Sequence, residues 1–262
     1  MGQPAINTMP ESFSPPPISD VWERRYRVEG RMWGMDPSPT AEKLMAEIRK
    51  GPEEGKSTSI IDVGCGYGRD SIALAYAGHI VTGIDKSPRG IDLANETWHD
   101  LKTDMHRRAP LGNVSFWIGT IGTVLASNVG TFGAISSHRA LHLFNDDEVE
   151  EFVREAAKRL RPSGILCVSA RSPKDFKPDQ MVYVTNTPTT KTAVYKDPAR
   201  EGQVINFWNR ARFESTFKTY FNIEAIEKTE EPESTRNPVA TILNQMFARR
   251  KSNELVPING KH

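Results

Sequence analysis

Three glycines at positions 64, 66 and 68, separated by Cys65 and Tyr67, follow directly on the run SIIDV of residues 59–63. Glycines at alternate positions let a backbone turn sharply and come close to a ligand. An acid stands on either side of the turn: Asp62 just before it, and Asp85, 21 residues beyond Gly64, at the end of a second β-branched run. The first is placed to receive an ammonium group, the second to accept both hydroxyls of a ribose. Together they ask for a ligand with an amino group and a ribose. Arg69 stands where a dinucleotide site has its third glycine; a pyrophosphate needs that glycine for close helix packing. The spacing therefore disfavours a nicotinamide-dependent dehydrogenase.

A second constellation is SSHRALHLF, residues 136–144. His138 and His142 are one helical turn apart, with Arg139 beside the first. One histidine could take a proton from an attacking hydroxyl, thiol or amine while Arg139 holds an anionic group. The competing reading makes one histidine a satisfied structural residue and pairs Arg139 with an acid. A third group, Trp22, Arg25, Tyr26 and Trp33, lies in VWERRYRVEGRMWG. It reads either as a helix packing its aromatics on the core or as a lid whose stacking faces and cation cover a pocket.

These groups need a scaffold, and the pattern around them supplies one. Short β-branched runs at 58–63, 80–84, 114–118, 132–136 and 165–169 alternate with helical patterns at 71–77, 87–108 and 146–160. Pro162, Ser163 and Gly164 break the last helix from the fifth strand. Such alternation predicts an α/β fold, a doubly wound, mainly parallel sheet with helices on both faces. A helix at 209–219, a strand at 221–226 and a segment at 239–248, as good a helix as a strand by propensity, bring the sheet to seven strands. A ligand crevice is expected beyond the carboxyl ends of the strands, near the end of the fourth. The remainder organises as a Pro-rich leader (1–18), lid and cover helices (19–56, with an amphipathic helix at 39–50), a flap (172–208) in which MVYVT and TAVYK could pair as a hairpin, and a polar tail (251–262), around a single domain at 19–250.

The chain has 262 residues, 37% of them apolar, enough for one sizeable core and too few for two catalytic domains. Its 34 basic against 33 acidic side chains leave a net charge of +1, a weak field for a partner with a phosphate backbone. No nucleic acid is expected, although His106, Arg107 and Arg108 form a local basic patch. Two cysteines, Cys65 and Cys167, suit a reducing compartment and offer no metal cluster. With no apolar run of about 18 residues, the expectation is a cytoplasmic protein off the membrane, monomer or homodimer.

IIDVGCGYGRDSIALAYAGHIVTGID resembles motif I through motif II of class I S-adenosylmethionine-dependent methyltransferases. With it, WERRYRVEGRMWGMDPSP, SPRGIDLA and SSHRALHLF resemble the small-molecule branch that includes tellurite-resistance and thiol or halide methyltransferases, over residues 22–221. The resemblance implies a Rossmann-like sheet, S-adenosyl-L-methionine as cofactor, and transfer of its methyl group to an O, N or S atom of a small molecule, an anionic one if Arg139 binds it. It carries cofactor contacts to Asp62, Gly64, Cys65, Gly66, Asp85, Lys86, Thr120, Ile121 and Ser137, with His138, Arg139 and His142 at the acceptor and Trp22, Arg25, Tyr26 and Trp33 in the lid. The family often has an acid after the third strand for the adenine amine; here the sequence is FWIGTIG, and Thr120 is the candidate. No Asn-Pro-Pro-aromatic motif follows the fourth strand, which argues against nucleobase methylation, and no carboxylate cluster there could hold a divalent metal. The alternatives are a protein that binds the cofactor without methylating, and a macromolecular methyltransferase.

Overall fold

The computed structural model describes residues 18–51, 57–104, 106, 110–124, 131–188, 190–196 and 200–252. The expected leader, apart from its last residue, and the tail beyond 252 lie outside the described residues, as do Arg107 and Arg108 of the basic patch.

The apolar runs become the middle of a seven-stranded sheet in the order β3-β2-β1-β4-β5-β10-β9. β1 (Ser59–Val63), β2 (Ile80–Asp85), β3 (Asn113–Ile118), β4 (Phe132–Ser137) and β5 (Leu160–Arg171) are mutually parallel, and β10 (Ala240–Arg250) runs antiparallel to both β5 and β9 (Phe221–Pro232). β1 and β4 are buried almost throughout because helices cover both faces. On one face α2 (Pro39–Lys50), α3 (Arg69–Tyr76) and α4 (Pro88–Thr103) bring Leu44, Ile48, Ile72, Leu74 and Trp98 against Ile60, Val81 and Phe247. On the other, α6 (Asp146–Arg159) and α7 (Arg210–Phe217) pack Phe152, Val153, Phe213 and Phe217 against Ile61, Ile135 and Val168. The chain winds outward from β1 in both directions, so a crevice opens between the carboxyl ends of β1 and β4.

Two strands differ from the sequence expectation in their bounds, and one segment that propensity left open is decided. Pro162-Ser163-Gly164 does not separate helix from strand: β5 already begins at Leu160, and the irregularity is taken up by Ser163 at φ +63° and a register shift opposite Phe132 and Ala134. Residues 240–250 are a strand, because partners on both sides satisfy the backbone along most of its length and outweigh helix propensity. β9 continues to Pro232, six residues past the expected end at 226, a length that matters at the site. The expected hairpin forms as β6 (Met181–Asn186) and β7 (Lys191–Tyr195), joined by an unforeseen third strand, β8 (Val204–Phe207), in a separate antiparallel sheet. Among the described residues no helix is long and apolar enough to cross a membrane.

Candidate active site

The glycine turn caps the crevice. Gly64 and Cys65 both donate backbone N–H groups to the Ile84 carbonyl, at 2.8 and 3.1 Å, which ties the turn to the end of β2. Gly64 and Gly66 have φ of +74° and +55°, and a Cβ would lie 2.5 Å from that of Ala140 at the first and 2.3 Å from the Tyr26 hydroxyl oxygen at the second. Only glycine leaves this cradle open. Asp85 lies against it: one carboxylate oxygen accepts from Gly66 N and the other from Ser87 N, both at 2.8 Å. Each oxygen keeps a lone pair for a ligand hydroxyl, so turn and acid fit the ribose-bearing cofactor that the resemblance implies. Burial raises the Asp85 ionisation from its ordinary value, opposed by those two N–H groups.

Asp62 is buried at the floor of the same cavity, accepting from Ser71 Oγ at 2.6 Å. Burial, and then the Asp70 carboxylate, push it up to about 7, which favours its neutral form in the free protein. The Cys65 thiol also lines the cavity; burial, then Asp85 and Asp62, hold its ionisation well above the ordinary range, and it stays a neutral thiol. Ser137 does not reach the cavity. It is fully buried and donates to the Val63 carbonyl at 2.9 Å, holding the end of β1.

Beyond Asp85 the wall is formed by Lys86, Thr120 and Ile121, the last opening the short helix α5 (Ile121–Val124). Lys86 is paired with Glu148, whose other oxygen closes the capping box of α6 through Asn145 N. Thr120 Oγ1 donates to Glu151 Oε1 at 3.1 Å, so α6 places a carboxylate at the position where none follows β3 in sequence. Among the described residues Glu151 has no cationic partner. In sequence it reads as the solvated face of an amphipathic helix, and only its distance from Thr120 in space reveals it.

The histidine segment does not match its expected chemistry. Both ring nitrogens of His138 are engaged: Nδ1 with Thr40 Oγ1 at 2.8 Å and Ser169 Oγ at 2.9 Å, Nε2 with Glu231 at 2.9 Å. It lines the cavity but has no free nitrogen to serve as a base. Arg139 spends its charge on Glu231 at 3.3 Å and Glu233 at 3.8 Å, and its guanidinium lies 4.9 Å over the Trp33 ring. Its φ of +56°, costly for a side chain of this size, is held by these contacts and by its N–H on Ser169. His142, in the turn Leu141–Leu143, does not line the cavity; burial, then Arg171 and Arg139, keep it neutral. The arginine in the third-glycine position joins the same network, since Arg69 Nη2 reaches Glu231 at 2.9 Å. Burial works to raise Glu231, yet His138, Arg69 and Arg139 hold it well below the carboxylate range. The extra length of β9 is what delivers this acid; in sequence Glu230, Glu231 and Glu233 look like a polar strand end.

The lid segment folds as α1 (Ile18–Glu29) and a following turn. Trp22, Tyr26 and Trp33 line the cavity, with Leu143 and Phe144 facing them from beyond β4. Arg25 does not: it pairs with Glu29 at 2.8 Å and stacks on the back of Trp22. Trp33 is fixed by its indole N–H on the Glu233 carbonyl at 2.6 Å.

Residues 60–164 match the family described as "Methyltransferase domain". The chain is 28% identical over 149 residues to a ubiquinone biosynthesis O-methyltransferase of Methylocella silvestris, covering 57% of this chain and 48% of that protein. The chain thus spans about half the length of that relative. Among solved structures it is similar to the PH0226 protein from Pyrococcus horikoshii, with a TM-score of 0.61, 21% identity and coverage of 87% of this chain and 99% of that one. TehB from Haemophilus influenzae superposes with a TM-score of 0.54 at 15% identity, over 89% and 67% of the two chains. These likenesses are likenesses of fold. Residues 60–164 are thus similar to the methyltransferase domain, and the seven-stranded sheet that holds them has the fold of these solved structures.

Proposed function

We propose that the protein transfers the methyl group of S-adenosyl-L-methionine to a small-molecule acceptor, leaving S-adenosylhomocysteine. The observation that carries this reading is the meeting of two features at one crevice: a turn bare enough for close backbone approach, and Asp85 beside it with a lone pair free on each oxygen. Bound there, the cofactor supplies a methyl group on a sulfonium sulfur, already activated for displacement. The residues then have to bind, align and exclude water. In this reading Asp62 receives the ammonium group and Asp85 the ribose, while Glu151, held by Thr120, accepts from the adenine amine. A charged acceptor supplied by α6 does the work that the missing acid after β3 would have done.

The acceptor lies between Trp22 and Trp33 on one side and Leu143 and Phe144 on the other, a chamber suited to a flat, apolar molecule. The neutralised Arg139 gives no support to an anionic acceptor. With His138 satisfied on both nitrogens, the attacking atom has to arrive with its own available lone pair. The ubiquinone relative is named an O-methyltransferase, which makes an acidic hydroxyl the first acceptor to test. The unbridged Cys65 and Cys167 support a reducing, cytoplasmic setting.

The test is incubation with methyl-labelled S-adenosylmethionine and cell extract, whole or desalted. Label in small molecules from the whole extract alone is the expected result. Label in protein or RNA would overturn the acceptor class, and binding without any transfer would overturn methylation itself.

A further inference from the structure

Tyr26 is 5% exposed, and among the described residues its hydroxyl has no hydrogen-bond partner, although it lines the cavity. The ring is buried while the hydroxyl faces the cavity, so its hydrogen-bonding capacity is open to a ligand there. Its position is specific. A Cβ at Gly66 would fall 2.3 Å from the phenol oxygen, and one at Gly90 3.1 Å from the ring, so Tyr26 is wedged between the glycine turn and the start of α4. The N–H of that same Gly66 is bound by Asp85 at 2.8 Å. Phenol and carboxylate therefore flank one peptide without bonding to each other.

Ionised Asp85 can only accept hydrogen bonds, whereas Tyr26 remains a donor, since burial and then the Asp85 charge keep its proton on. A group that bridges the two has to donate and accept at once, as a hydroxyl does. We propose that Tyr26 is the second half of the ribose site: its phenol donates to a ribose hydroxyl of the cofactor while that hydroxyl donates to Asp85. This assignment rests on the adenosyl cofactor proposed above. The cofactor's carboxylate is the other oxygen acceptor the phenol could meet, since Arg69, Lys86 and Arg139 in the wall are each paired with acids.

The full-length chain and Tyr26→Phe are compared by calorimetry with S-adenosylhomocysteine, its 2′-deoxy and 3′-deoxy analogues, and its decarboxylated analogue. Because the hydroxyl bonds nothing in the fold, the ligand-free Tm of Y26F should equal or exceed that of the wild type, a result a structural role would not give. Y26F should bind S-adenosylhomocysteine and the decarboxylated analogue about fivefold more weakly than wild type, yet match it on one deoxy analogue. Equal affinity of the two proteins for S-adenosylhomocysteine overturns the contact. A loss that persists on both deoxy analogues and vanishes on the decarboxylated one overturns the ribose assignment in favour of the carboxylate. A wild-type chain that binds no S-adenosylhomocysteine overturns the cofactor reading and this assignment together.

Discussion

In the proposed function Asp62 and Glu151 each act on the ligand through charge, and each predicts a number. Burial and then Asp70 raise Asp62 in the free protein to about 7 and favour its protonated form. An acid raised in this way binds a proton on folding, so its contribution to stability is present at low pH and is lost as pH rises through about 7. An ammonium group beside it reverses the preference, and binding then expels the proton. At pH 6, S-adenosylhomocysteine should release close to one proton, read by calorimetry in buffers of different ionisation enthalpy, and Asp62→Asn should release none. Wild-type binding without release would remove the ammonium from Asp62. For Glu151, a hydrogen bond to a charged acceptor is worth about 1.5–3 kcal/mol, and the amide keeps part of it. Glu151→Gln should weaken S-adenosylhomocysteine by about tenfold; unchanged affinity would place the base elsewhere. Asp62 was legible from its place before the glycines. Glu151 was not, because helix periodicity says only that it faces outward from α6, and what it faces is decided by the turn after β3.

At the scale of elements, α1 is moored to α4 by one carboxylate. Glu23 accepts from Ser87 Oγ at 2.6 Å and from Arg89 N at 2.9 Å, serving the first turn of α4. Burial works to raise Glu23, but Ser87, Arg89 and Arg27 together leave it below its ordinary value. Ser87 also donates its N–H to Asp85, so a single residue touches both α1 and the acid beside the glycine turn. Glu23→Gln should free α1, seen as severalfold faster limited proteolysis within residues 18–30 in the absence of ligand; an unchanged rate would mean that the aromatics alone hold the lid. The parallel strands and their helices were readable because each is a short β-branched or amphipathic run bounded by Gly, Pro or a capping residue. The end of the sheet was less so. Whether ATILNQMFARR becomes helix or strand depends on β5 and β9 lying to either side, and no local pattern carries that information.

Across the whole molecule, Glu231 and Glu233 act as a clasp. Glu231 gathers Arg69, His138 and Arg139, and Glu233 gathers Arg171 at 2.8 Å and Arg200 at 2.7 Å. Burial opposes ionisation of both acids, but their partners prevail and hold both well below the ordinary 4.5. For a depressed acid the stabilisation is present above the unfolded value and is lost as pH falls below it. Stability should therefore decline as pH drops under about 4.5, and Glu231→Gln should be less stable at neutral pH with a shallower acid slope, measured by denaturant unfolding across pH 3–7. An identical slope would remove the clasp from the acid response.

The clasp also constrains how the protein can be made. The match to the methyltransferase domain ends at residue 164, yet the arginine behind the glycine turn and the histidine at the end of β4 find their acid on β9, at 231. A nascent chain that has just delivered the glycine turn exposes charges whose partner has yet to be synthesised, roughly 160 codons downstream of Arg69. The acid that neutralises this wall of the crevice is therefore delivered only with β9, long after the glycine turn and β4 have been made.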